Sequence, residues 1–342
     1  MNNIPEDHII NHPWLIWGFG IAVIIMLMLD LGVFNKKSHT ISNKEALIWT
    51  IVWISLSMIF SGVVWWVLDK PYGITENFSK YQAAYWIEKA LSVDNLFVFI
   101  LVFKFFKIPK DYQHKVLFWG ILGALFFRAI FIFAGVELIK LTYVTLPFLG
   151  VDAGGDPRQL NVVLFVFGIF LLFAGVKSGM PEKENAEEVD MSKNIGVRLV
   201  NKFFKVSNDF DGDKFFTVQN GVKMVTPMFV ALAVIEITDL VFAVDSIPAI
   251  FAIAPDDPFI LYTSNIFAIL GLRSMYFLLA NSMDLFSKLH YGLAVILVFI
   301  GIKMIIMPYY HFESTVSLGI IGSVLVASII WSLLSRKKTT NS

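Results

Sequence analysis

The sequence predicts an all-α integral membrane protein with about nine transmembrane helices and a core of two inverted three-helix repeats. Three observations carry that expectation. Hydrophobic residues make up 57% of the 342 and charged ones only 16%, and mean hydropathy is +0.70, outside the range of an ordinary soluble domain. Apolar runs recur at about 20 residues, the length that crosses a bilayer as a helix. Lys and Arg gather in alternate connections, as the positive-inside rule requires.

Taken in order, the apolar runs are 14–34, 46–68, 83–106, 116–139, 160–177, 226–254, 259–280, 289–307 and 316–334. The segment before the first, MNNIPEDHIINHP, has no Lys or Arg, whereas Lys36, Lys37 and Lys44 follow it. The first run has no basic stretch before it and no small-residue cleavage pattern after it, so it reads as a retained span rather than a signal peptide. Lys104, Lys107, Lys110 and Lys115, the basic residues between Lys177 and Lys223, Lys288, and the tail Arg336, Lys337 and Lys338 then fall on one side. The expected arrangement places the protein in the inner (cell) membrane, with the N-terminus outside and the C-terminus cytoplasmic.

The chain thus divides into an outer N-terminus with two accessory helices (1–80), a first three-helix repeat (81–177), a cytoplasmic loop (178–225), a second repeat (226–307), and a last helix with a basic tail (308–342). Within the loop, MPEKENAEEVD reads as a mobile tether. KNIGVRLVNKFFKVS sets Arg198, Lys202 and Lys205 opposite Ile195, Leu199, Val200 and Phe203, a pattern suited to a helix lying on the inner membrane surface. Asn220-Gly221 between two β-prone runs predicts a hairpin. Asp209, Asp211 and Asp213 have the wrong glycine and closing positions for a calcium loop and read as a solvated turn.

Three landmarks recur in one order. Glu88, five residues, then Asp94-Asn95 matches Asp239, five residues, then Asp245-Ser246; Ile121-Leu122-Gly123 matches Ile269-Leu270-Gly271, with Arg128 and Arg273 a little further on. Phe173-Ala174-Gly175-Val176-Lys177 matches Phe299-Ile300-Gly301-Ile302-Lys303. An odd number of spans per copy makes the second copy enter from the opposite side, and inverted repeats are a hallmark of secondary transporters that bind substrate at mid-membrane.

The acids make that reading specific. TPMFVALAVIEITDLVFAVDSIPAIFAIA, residues 226–254, could span a bilayer, yet it holds Glu236, Asp239 and Asp245 and is interrupted by Pro248. Each buried acid costs about 2.5–3.5 kcal/mol, against about 0.3–0.6 kcal/mol returned by each Val, Ile, Leu or Phe. A cation, a proton or an internal ion pair must offset that cost. Pro248 lacks an N–H and so frees the Val244 carbonyl beside Asp245. That oxygen, the carboxylates, Asn95 and Ser246 suit a hard or borderline divalent cation such as Mn²⁺, Mg²⁺ or Ca²⁺. The candidate metal ligands are therefore Glu88, Asp94, Asn95, Glu236, Asp239, Asp245 and Ser246, with Arg128 and Arg273 as supporting charge. A structural network, in which the arginines merely neutralise the acids, is the competing reading. Lys177 and Lys303 read as anchors reaching for the two membrane edges.

WIEKALSVDNLFVF, EITDLVFAVDSIPAIFAI and YTSNIFAILGLRSMYFLLA together resemble the TerC family of integral membrane proteins, named for tellurium resistance, and especially its longer Alx-like branch. The resemblance runs from about Leu29 to Lys303. It implies a multi-pass protein of the bacterial cytoplasmic membrane, related to LysE-type cation exporters, with members linked to manganese export and to supplying metal to secreted enzymes. Family acids carry over onto Glu88, Asp94, Asp239 and Asp245, and onto Glu236 less directly.

The expected function is divalent metal-ion transport, Mn²⁺ first and efflux the direction. The alternatives are a membrane scaffold acting through its loop, and a tellurite-type oxyanion carrier using Arg128 and Arg273. The expected partners are the lipid bilayer, the metal ion and metal-requiring membrane or secreted proteins. Zero net charge, with 27 basic and 27 acidic residues, gives no reason to expect nucleic acid, and the absence of cysteine removes disulfides, thiolate sites and redox dithiols. The six histidines share no ligand spacing. With no nucleophile and base pair, phosphate loop or cofactor signature, neither an enzyme nor a tightly bound cofactor is expected.

Overall fold

The computed structural model describes residues 13–34, 42–146, 149–151, 157–180, 195–219, 221–255, 257–280, 289–310 and 312–339; the side chains of residues 29–34, 94, 245 and 336–339 lie outside that description. The tether from Pro181 onward, PEKENAEEVD, and Asn220 also fall outside it.

Helix α1 is Pro13–Phe34 and α2 is Asn43–Val64, started by Ser42, whose hydroxyl accepts from the Glu45 N–H at 3.3 Å. A π turn, Trp65–Asp69, and a 3₁₀ turn, Lys70–Tyr72, extend α2. Next come α3 (Glu76–Phe105), α4 (Lys110–Leu141), a small hairpin of β1 (Tyr143–Thr145) and β2 (Gln159–Asn161), and α5 (Val162–Gly179). After α6 (Ile195–Phe203) and the hairpin β3 (Phe216–Gln219) and β4 (Val222–Val225), the chain re-enters with α7 (Pro227–Phe251). The last helices are α8 (Pro258–Leu270), α9 (Leu272–Ala280), α10 (Leu289–Ile306) and α11 (Ser314–Thr339).

Every expected span coincides with a helix or with the pair α8–α9. By length and apolarity, however, six helices among the described residues suffice to cross a membrane, or seven if that bent pair is one span. The described apolar part of α1, Pro13–Met28, is shorter, and α3 carries Glu88 and Lys89 along its middle.

The bundle interleaves the two expected repeats. Helix α3 lies against α8, and α4 lies against α7, while α5 and α10 form the most intimate pair. A methyl group added at Gly168 would sit 3.0 Å from the Gly301 carbonyl oxygen, and one at Gly301 would sit 2.7 Å from the Gly168 carbonyl oxygen. One at Gly175 would sit 2.8 Å from both the Ala294 oxygen and the Val298 nitrogen, so the two helices touch backbone to backbone as they run antiparallel. Helix α1 joins through an aromatic nest in which Phe19 meets Phe60 of α2 and Phe259, Tyr262 and Phe267 of α8, ring centres 5.5–6.4 Å apart.

Three expectations are corrected. Helix α7 continues through Pro248 to Phe251 because the proline falls in its last turn, where few ladder bonds remain to be lost. The discontinuity lies instead at Gly271, where α8 and α9 meet at 40°. Lys303 does not reach for the membrane edge: it is 5% exposed, and its ammonium donates to the Ser317 hydroxyl at 3.0 Å, because α11 covers that end of α10. Lys177 is exposed. On α6, Val200 turns inward with Gly196 and Val197 against α7, leaving Ile195, Leu199 and Phe203 as the exposed apolar ridge beside Arg198 and Lys202.

The hairpin is anchored rather than free. The Val225 N–H donates to the Lys205 carbonyl at 2.9 Å, the Ser207 N–H donates to the Val225 carbonyl at 2.8 Å, and Gly221 takes the turn at φ +79°. Lys115 at the start of α4 pairs with Asp213 at 2.8 Å, while Asp211 accepts from Thr217 at 3.0 Å. Two of the three aspartates are thus engaged by the loop itself or by α4. Hydrogen bonding from Lys115 holds the Asp213 carboxyl below its ordinary value of 3.8. Because the folded value is depressed, this attachment is fully present above the unfolded value and is lost as pH falls through the folded one. Protection of residues 205–226 in hydrogen exchange, corrected for intrinsic rates, should therefore stay flat from neutral pH to about 5 and fall only below about pH 4. Asp213→Asn should lower it at neutral pH to the level the intact protein reaches below about pH 4, while leaving the melting of the helix bundle unmoved, since an exposed pair contributes little.

Candidate metal-ion site

The centre of the bundle is a buried charge triad. Glu88 on α3, Arg128 on α4 and Asp239 on α7 are 0%, 1% and 6% exposed. Arg128 Nη1 donates to Glu88 Oε1 in a short ion pair, Nη2 donates to Asp239 Oδ1 at 3.1 Å, and Nε reaches Asp239 Oδ2 at 3.4 Å. The planar guanidinium thus joins the first helix of one expected repeat to the first helix of the other, a geometry a lysine could not reproduce. The Ser92 hydroxyl, one turn along α3, donates to the same Glu88 Oε1 at 3.2 Å. One cation against two carboxylates leaves a net negative charge removed from water, and such a charge needs a further positive partner or a proton.

Unpartnered oxygen surrounds this triad's helices. Among the described residues, Glu88 Oε2, Glu236 Oε2, the Ser246 hydroxyl and both amide atoms of Asn265 are buried without a hydrogen-bond partner. Glu236 precedes Asp239 by one turn of α7, and its carboxyl rests against Gly123 of α4, where a side chain larger than hydrogen would collide with it. Native interiors hold few orphaned polar atoms, so a group of them on α3, α7 and α8 is chemically informative. The oxygens among them suit a hard or borderline divalent cation rather than a soft one; the Trp53 indole N–H and the Tyr85 and Ser274 hydroxyls are likewise buried without a partner.

Of the residues named from sequence, the structure brings Glu88 and Asp239 together on Arg128 and places Glu236 one turn from that triad. Asn95 and Ser246 are buried on α3 and α7, each next to an acid of the repeated motif. Asp94 and Asp245 lie on the same two helices, six residues beyond Glu88 and Asp239, with side chains outside the described set. Arg273 is buried on α9 and is not part of the triad. Among the described residues no three His, Cys, Asp or Glu side chains form a group that could hold a metal ion.

Sequence reasoning missed two residues. Lys89 is 4% exposed and donates to the Ala268 carbonyl at 3.1 Å. Its signal was in plain view, a lysine in the middle of WIEKALSVDN, but the matching position of the second repeat is Leu240, so it formed no part of the repeated pattern. Asn265 is 1% exposed on α8; an amide within the apolar run YTSNIFAIL was the available signal.

The family model described as integral membrane protein TerC family matches residues 73–340, from the turn before α3 through α11. A membrane protein of Myxococcus xanthus is 44% identical over 335 residues, covering 97% of this chain and 96% of its own length. Two bacterial relatives carry the name "Putative membrane-bound redox modulator Alx". The one from Escherichia coli K12 is 41% identical over 325 residues, 94% of each chain. The one from Photorhabdus laumondii is 40% identical over 328 residues, 94% of this chain and 96% of its own. No solved structure matches the chain.

Proposed function

This chain belongs to the TerC family of integral membrane proteins, and we propose that it is a divalent metal-ion transporter of the bacterial cytoplasmic membrane, with Mn²⁺ the first ion and efflux the direction. The observation that carries the proposal is the Glu88–Arg128–Asp239 triad: buried, net negative, and shared between the helices that open the two expected repeats. In the proposed mechanism the ion sheds most of its water at mid-membrane and is held by Asp94 and Asp245, with help from Glu88, Asp239, Asn95, Ser246 and Glu236. Rocking of one repeat against the other then exposes it to the opposite side. Protonation of the same acids outside would aid release; transport into proteoliposomes that ignores pH would remove that part.

The packing favours an inverted pair. Equating Gly175 with Gly301, as the third landmark does, also equates Gly168 with Ala294. The Gly168–Gly301 contact and the Gly175–Ala294 contact are then compatible with a two-fold axis between copies, as antiparallel packing of α5 on α10 makes them. The exchange α3 with α8 and α4 with α7 has the same symmetry.

Arg128 already spends three N–H groups on two carboxylates, which weighs against the oxyanion reading. The relatives' names speak of redox; with no cysteine, this chain has no dithiol to offer such a role. The scaffold reading predicts that deleting residues 180–220 abolishes function, whereas the transport reading predicts that flux is largely intact.

Elemental analysis of cells after a manganese challenge tests the proposal. Cells expressing the intact protein should hold several-fold less manganese than cells with empty vector. Asp245→Asn, which keeps size and removes charge, should erase the difference, a loss of flux of more than about tenfold by analogy with weakened metal sites. If intact protein is present in the membrane at equal amount and manganese stays at the empty-vector level, the manganese reading fails.

A further inference from the structure

The 40° break between α8 and α9 creates a local problem that one side chain solves. A helix end leaves its last carbonyls without intrahelical partners, and in a membrane interior no water is at hand to take them up. The Ala268 carbonyl belongs to the last turn of α8 and is fully buried. The Lys89 ammonium donates to it at 3.1 Å, and among the described residues this is the only acceptor Lys89 has. Gly271, the residue at the break, makes the approach possible: a Cβ there would lie 2.7 Å from Lys89 Nζ and 3.1 Å from Trp53 Cβ.

We propose that Lys89 is a positioning residue, a tethered cation that sits on the carbonyl end of α8 and holds the α8–α9 break in its bent form. The carbonyl end of a half-helix attracts positive charge through its dipole, and unwound helix ends in transporters serve cations in this way. Here the cation is supplied by the neighbouring helix. Lys89 follows Glu88 directly on α3, and successive helical residues point about 100° apart, so α3 grips the charge triad with one side chain and the break with the next. A shift of α3 that loosens one must disturb the other. The device does not depend on which ion is carried.

A distance measurement tests it, aided by the absence of native cysteine. The full chain in nanodiscs carries spin labels at Leu141→Cys, an exposed site at the far end of α4, and Ala280→Cys, at the end of α9. Helix α9 has nine residues, about 13 Å, so relaxing a 40° bend swings its far end by up to about 9 Å. Lys89→Met should shift or broaden the distance distribution by several ångström, Lys89→Arg should keep the native one, and Gly271→Ala, which pushes the ammonium aside, should reproduce Lys89→Met. Adding Gly271→Ala to Lys89→Met should change the distribution little further. In proteoliposomes loaded with Mn²⁺, Lys89→Met should lower the maximal flux about tenfold while leaving the half-saturating concentration within about twofold, as expected of a conformational step. Native distance distributions in both Lys89→Met and Gly271→Ala overturn the proposal. Should Lys89→Met not fold, Gly271→Ala decides it alone. Absence of Mn²⁺ flux in the intact protein would sink the transport reading and leave the distance result to judge the clamp.

Discussion

Replacing Arg128 with methionine is expected to cost the protein most of its stability, seen as loss of monodisperse protein in detergent or a collapse of its thermal midpoint. Methionine replaces the aliphatic stem but leaves Glu88 and Asp239, 0% and 6% exposed, without their shared cation. Breaking a buried pair by removing one partner costs about 3–5 kcal/mol, a large part of a typical folding free energy of about 5–15 kcal/mol. Arg128→Lys should recover little, since a compact ammonium at the end of a single stem cannot span two carboxylates on different helices as the planar guanidinium fork does. Adding Glu88→Gln and Asp239→Asn to Arg128→Met should restore much of the folded yield, because the uncompensated charge is gone. A stable Arg128→Met protein would mean that another cation already balances the acids.

The second large effect is expected at the contact between α5 and α10. Gly301→Ala drives a methyl group to 2.7 Å from the Gly168 oxygen and 2.8 Å from the Leu172 nitrogen, both backbone atoms that no rotamer change can move. Overpacking of that kind costs about 1–3 kcal/mol, and Gly301→Leu should prevent assembly. Gly175→Ala should behave like Gly301→Ala, since its methyl meets the Ala294 oxygen at 2.8 Å. Gly319→Ala is the control: nothing lies within 4 Å of the added carbon, and alanine favours helix by about 1 kcal/mol, so stability should hold or rise slightly. Thermal unfolding of the purified variants reads all four.

The helices were legible because burial in lipid demands long apolar runs, and the hairpin was legible because Asn220-Gly221 has a strong turn preference. The joining of Glu88 to Asp239 was foreshadowed by their equivalent places in the repeated motif. That Arg128 neutralises acids is what the structural-network reading expected; which two acids it reaches across three helices, and that Arg273 stays outside the triad, is information that spacing along one chain does not carry. The break at Gly271 was hidden for a different reason. NIFAILGLRSM sits within one run long enough to span a membrane, and proline, the stronger local breaker, drew attention to Pro248 instead. What bends the helix comes from elsewhere, the Lys89 ammonium and Trp53, and a glycine in a sequence does not announce what will be packed against it. The same holds for Lys303, whose burial depends on α11 folding over it.

The aromatic nest around Phe19 sets an order of events during synthesis. Among the rings that Phe19 meets, Phe60 follows it by 41 residues, but Phe259, Tyr262 and Phe267 follow it by 240 residues or more. At about 5–20 residues per second, the interval lasts roughly 12–50 s. Through that time α1 holds only Phe60 of α2 among these ring partners. Its docking against α8 therefore belongs to the last stages of assembly, after α8 has been made.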